Sequence, residues 1–211
     1  MFDFLDVPEG APERKREGAY SSHVFGSAEQ QVKVILLDAR YFRDTLERVD
    51  RVYRPNLQGE VLGEAQWKWL QKELKESQAK INLIISGIQF LPTEHAYEKW
   101  ANFPKERERL LDVIAASGAQ TPVLLSGDRH IAEIMKLTDS RFPEGIYEIT
   151  SSGLTHTWSE ISEEPNAYRV GDLIAKLNYG LASIDWEKKE ILFEVKGEMG
   201  DVYATQKIPF N

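Results

Sequence analysis

Cysteine is absent from all 211 residues, which excludes both a disulfide framework and a thiolate-held metal site. Long apolar runs are missing too. No stretch approaches the roughly 20 residues needed to cross a bilayer, so no membrane partner is expected. Positive charge is in deficit: 26 Lys+Arg stand against 34 Asp+Glu, a net charge of -8. An acidic chain is poorly suited to gripping the phosphate backbone of DNA or RNA as its main task, so no nucleic-acid scaffold is expected. No strand runs into a Gly-rich phosphate loop, which argues against a nucleotide-binding α/β domain. The opening segment, Met1-Phe-Asp-Phe-Leu-Asp-Val-Pro8, is acidic and short of apolar length, unlike a signal peptide, so the chain as written is expected to be cytoplasmic.

What is present suits one layered domain with a continuous core. Residues 19–25 alternate loosely and end at Gly26, the pattern of a strand. Val32 to Leu37 and Ile81 to Ile85 are branched, nearly continuous apolar runs of the kind found in buried strands. Between them, Trp67, Leu70 and Leu74 form one apolar stripe at helical spacing over residues 62–77. A second helix is predicted from Pro104, which suits a first turn, to Gly118, which suits an end. Residues 45–62 and 90–103 read as loops, and 159–176 as irregular. The chain closes on strands at 179–186, 190–196 and 202–208. Strand–helix units passing into antiparallel hairpins predict an α/β (α+β) sheet protein in one domain.

The stretch richest in chemistry is Thr121-Pro-Val-Leu-Leu-Ser-Gly-Asp-Arg-His130. Val123 to Leu125 read as a buried strand, released by Gly127, and the spacing of Ile131, Ile134, Met135 and Leu137 predicts a helix over 131–138. Asp128 and His130, two apart in an extended segment, would leave the carboxyl edge of the sheet on one side, where open α/β sheets bind ligands. Carboxylate oxygen and imidazole nitrogen together suit iron, zinc, manganese or a mixed site with calcium. The spacing is equally met by Asp128 capping the helix while His130 packs in its first turn. Asp38 and Arg40 stand at another strand end, where an ion pair between them is the favoured reading and a phosphate facing Arg40 the alternative.

Five ordered blocks carry a resemblance. VKVILLDARYFRD (32–44), LGEAQWKWLQKEL (62–74), EKWANFPKERERLL (98–111), LLSGDRHIAEI (124–134) and SSGLTHTW (151–158) closely resemble the alkaline phosphatase D (PhoD-like) metallophosphatases. Asn178-Tyr-Gly180 and Ser183-Ile-Asp-Trp186 fit that family's closing strands. The resemblance implies a four-layer αββα metallophosphoesterase sandwich that hydrolyses small-molecule phosphate mono- and diesters at a dinuclear centre of iron with calcium, with zinc and manganese as alternatives. It places Asp128 as a ligand of the calcium-like ion and His130 as a ligand of the iron-like ion, while proximity to the motif loops alone makes Arg40, Arg129 and His156 candidates to stabilise charge at phosphorus. The family's upstream half, which supplies most metal ligands, has no counterpart in residues 1–50. The chain is therefore expected to correspond to the carboxyl-terminal half. It is expected to meet either that missing half or another copy of itself, and a catalytically silent subunit that packs against a partner is the alternative function.

Overall fold

The computed structural model describes residues 2–27, 29–161 and 163–211. In chain order the elements are β1 (Ser21–Phe25), β2 (Val32–Leu36), β3 (Arg48–Val49), β4 (Val52–Tyr53), α1 (Gly63–Lys75), β5 (Ile81–Ser86) and α2 (Pro104–Ser117). There follow β6 (Pro122–Ser126), β7 (Ala132–Leu137), β8 (Ile146–Ser151), β9 (Arg169–Ile174), β10 (Tyr179–Asp185), β11 (Glu190–Lys196) and β12 (Val202–Pro209).

Seven strands make one sheet in the order β1-β2-β5-β6-β8-β7-β9, and β10-β11-β12 make a second. The pairs β2–β5, β5–β6 and β6–β8 are parallel, so their carboxyl ends share one edge. Parallel strands need long crossovers, and α1 and α2 supply two of them on one face of the sheet. Alternation along each strand divides its residues between the two faces. Ile35, Ile84 and Leu124 join Trp67, Leu70 and Leu111 of the helices in one core. Ile81, Val123 and Ile149 face the other way and meet Ile191, Phe193 and Ile208 of the second sheet. The layers run helix, sheet, sheet, as expected of a part of an αββα sandwich.

Polar side chains fix how the layers join. Gln66 of α1 is fully buried and accepts the N–H of Asp38 while donating to the Asp38 carbonyl, tying the helix to the end of β2. Glu106 of α2 accepts from the Trp67 indole at 2.9 Å and from the Val61 N–H at 2.8 Å, which locks α1 against α2. Pro104 opens α2, and Gly118, at φ 73, closes it in the left-handed conformation that glycine adopts without penalty.

Three expectations are corrected. The helix predicted over 131–138 is strand β7, held antiparallel between β8 and β9. Its residues are buried on both faces, and a continuous buried run shows no period by which to tell strand from helix. Strand β9 occupies part of the segment read as irregular, and the β3–β4 hairpin lies inside residues 45–62, read as a loop.

Candidate functional site

The shared carboxyl edge of β2, β5 and β6 opens into a depression of about 530 Å³, lined among others by Leu36, Arg40, Gly87, Ser126 and Asp128. Asp128 lines it, and His130 follows on the same turn between β6 and β7. They do not reach it as alternate residues of an extended strand. Both take the left-handed conformation, with φ 67 and 53, so the chain coils through Gly127-Asp-Arg-His130 instead of running straight. With β7 following, Asp128 caps no helix. Non-glycine residues held in this region are uncommon, and such strain concentrates at ligand sites.

The coil is held by the loop after β8. The His130 N–H donates to the Ser152 hydroxyl at 2.6 Å, while the His130 carbonyl accepts from the Thr157 hydroxyl at 2.9 Å and the Trp158 N–H at 3.1 Å. Its imidazole stacks on Trp158, with ring centres 5.7 Å apart, and meets the edge of His156 at 4.9 Å. His156, a loop histidine with no neighbour implied by its spacing, is thus brought against the motif histidine. The Nδ1 atom of His130 is buried and has no hydrogen-bond partner among the described residues.

Arg40 also reaches this edge. Its guanidinium contacts the Glu98 carboxylate at 2.5 Å and the Asp128 carboxylate at 3.5 Å. The expected Asp38–Arg40 ion pair is not formed. Asp38 instead accepts backbone N–H groups from Ala19, Arg40 and Tyr41, shaping the turn that presents Arg40 outward. Both side chains of the Arg40–Asp128 contact are about half exposed, so it contributes about 1 kcal/mol or less and is readily exchanged for a ligand. Arg43 shares Glu98, leaving that carboxylate between two cations.

Arg129 goes elsewhere. It is 4% exposed, donates to Gln89 at 2.8 Å and to both oxygens of Glu164, and its guanidinium lies over the Tyr97 ring. Its charge is committed to the interior and braces the coil from behind. Beneath the depression, the Ser126 hydroxyl donates to Glu148, which also accepts the N–H groups of Phe90 and Leu91. Burial pushes the Glu148 carboxyl up to about 7, against the pull of those three hydrogen bonds. Nearby His95 is pushed down to about 2 by burial, with Arg129 and Lys99 adding to the effect.

Glu164 carried no signal in the sequence, and Ser152, Trp158 and Glu98 stood there only within the resembling blocks, with nothing to show which side chains they hold. Each lies far along the chain from the side chain it holds, and only the topology brings them together. Among the described residues no group of three or more His, Asp or Glu side chains is arranged to surround an ion. The orphaned Nδ1 of His130 and the exposed Asp128 carboxylate are suitable donors, but they make only part of a coordination sphere.

A family model described as PhoD-like phosphatase matches residues 6–187. The chain belongs to the PhoD-like phosphatase family. A solved structure titled "Structure of PhoD" superposes with a TM-score of 0.68 at 17% identity, covering 98% of this chain and 44% of that one. The PhoD-like fold is therefore shared, and this chain spans less than half the length of the protein in that structure. No curated protein matches the sequence. Among the described residues, no helix of this PhoD-like chain is long and apolar enough to cross a membrane.

Proposed function

We propose that the carboxyl edge of the large sheet is a phosphate-ester hydrolysis site, with Asp128 and His130 as metal ligands and Arg40 receiving the phosphoryl group. The observation that carries this reading is the meeting of Asp128 and Arg40 over the open depression, with the His130 imidazole fixed on the same turn. Family membership supports hydrolysis of phosphoric esters, and mono- and diesters are both proposed as substrates. A bound cation there would screen the ester's negative charge and lower the pKa of a water molecule, with iron and calcium the pair implied and zinc or manganese the alternatives. Arg40 suits the phosphoryl oxygens because a planar guanidinium matches them in two-point hydrogen bonds and stabilises charge added at phosphorus. Ser152, Thr157 and Trp158 hold the His130 ring and backbone in place. His156, against that ring, would donate a proton or a hydrogen bond to the same ester.

Hydrolysis of p-nitrophenyl phosphate and its bis diester by the full chain supplied with metal tests this. Chelator and Asp128→Asn should each lower turnover by roughly a hundredfold or more, and added metal should restore only the first. Turnover that survives both contradicts the assignment.

A second reading is a subunit that packs against another chain through its second sheet. The specific observation favouring it is β10. Among the described residues this strand pairs on one side only, with Tyr179 to Ser183 exposed.

A further inference from the structure

A second cavity, of about 690 Å³, adjoins the depression and shares Leu37, Arg40 and Gly87 with it. We propose that this cavity binds the organic group of the phosphate ester and selects an aromatic ring there. The proposal rests on the reading that the phosphoryl group sits between Arg40 and Asp128.

Size and walls point the same way. The volume is that of a small-molecule site, far more than a phosphate ion needs. Phe2 and Tyr41 are the aromatic residues of its wall. The carboxylates on that wall already have partners: Asp38 accepts three backbone N–H groups, and Glu17 accepts the Tyr41 hydroxyl at 3.3 Å. Arg16, also on the wall, lies over Tyr20, 3.9 Å from its ring centre, and donates to the Tyr20 carbonyl. The aromatic side chains of Phe2 and Tyr41 favour a π face over an aliphatic chain of equal area. The sequence showed only the Arg14-Lys-Arg16 run, which reads as a solvated turn. The structure turns Arg16 into this wall.

Calorimetric titration of the full chain, in chelator so that nothing turns over, compares 1-naphthyl phosphate with butyl phosphate. The naphthyl ester should bind roughly five- to tenfold tighter. Tyr41→Ala should bring that preference to about one, and Tyr41→Phe, which keeps the ring and loses the bond to Glu17, should retain it. Equal affinity in the parent protein, no binding of either ester, or a preference that persists in Tyr41→Ala overturns the proposal. Failure of the hydrolase reading is seen separately, as absent metal-dependent turnover with the binding preference intact.

Discussion

Two buried ionisable residues near the site, Glu148 and His95, oppose one another in their effect on stability. Glu148 rises from 4.5 to about 7 on folding, so between those pH values the folded chain holds the extra proton and stability falls as pH rises. His95 falls from 6.5 to about 2, so the unfolded chain holds the extra proton over that span and stability rises with pH. The two effects overlap between pH 4.5 and 6.5 and largely cancel, giving a flat profile there. Glu148→Gln removes one of them. Its unfolding free energy from urea titration should then climb from pH 4.5 to 6.5, by up to roughly 1.4 kcal/mol per pH unit. A variant as flat as the parent over that interval contradicts the assignment of opposed protons. Neither residue was singled out in the sequence, because a burial-driven shift depends on what packs around the group and not on its neighbours in the chain.

Among the elements, β7 is where sequence and fold part company. Ala132-Glu-Ile-Met-Lys-Leu137 favours helix by local propensity, yet its backbone completes the ladders of β8 and β9, and tertiary pairing overrides propensity. The consequence centres on Glu133. In a surface helix its carboxylate would face water. In β7 it is fully buried, paired with Arg169 of β9 at 2.7 Å and hydrogen-bonded by Gln89 and Asn166. Removing one partner of such a buried pair leaves the other uncompensated, so Glu133→Ala should cost about 3–5 kcal/mol in urea unfolding. A loss under about 0.5 kcal/mol, the usual range for an exposed residue, contradicts the strand assignment. The elements that the sequence did disclose, such as α1 with its Trp67, Leu70 and Leu74 stripe, are those with one face in the core and one in water. Where both faces are buried, or where a short strand such as β9 exists only because β7 offers an edge, periodicity carries no information.

At the scale of the whole molecule, the large sheet has helices on one face and a three-stranded sheet on the other, and the carboxyl edge lies between these layers. Asp128 and His130 were legible as chemistry from residue type and position after a strand. The left-handed coil that presents them, and the ties from Ser152, Thr157 and Trp158 that hold it, come from contacts remote in sequence. Exposed apolar side chains on β1 and β2, Val24, Phe25 and Leu36, accompany the one-sided β10. Strand edges and apolar surface of this kind favour association. Size-exclusion chromatography with light scattering should find a species larger than 24.2 kDa at high concentration, reduced to monomer by Leu181→Lys on the open edge. A monomer at all concentrations contradicts the second-sheet interface.

The central claim is that the carboxylate of Asp128 and the ring of His130 hold adjacent cations beside Arg40. Anomalous diffraction from crystals of the protein soaked in zinc measures this directly. The account predicts zinc on adjacent sites, roughly 2.0–2.2 Å from an Asp128 oxygen at one and from a His130 nitrogen at the other. Zinc bound elsewhere, with both of those side chains unliganded, would contradict it.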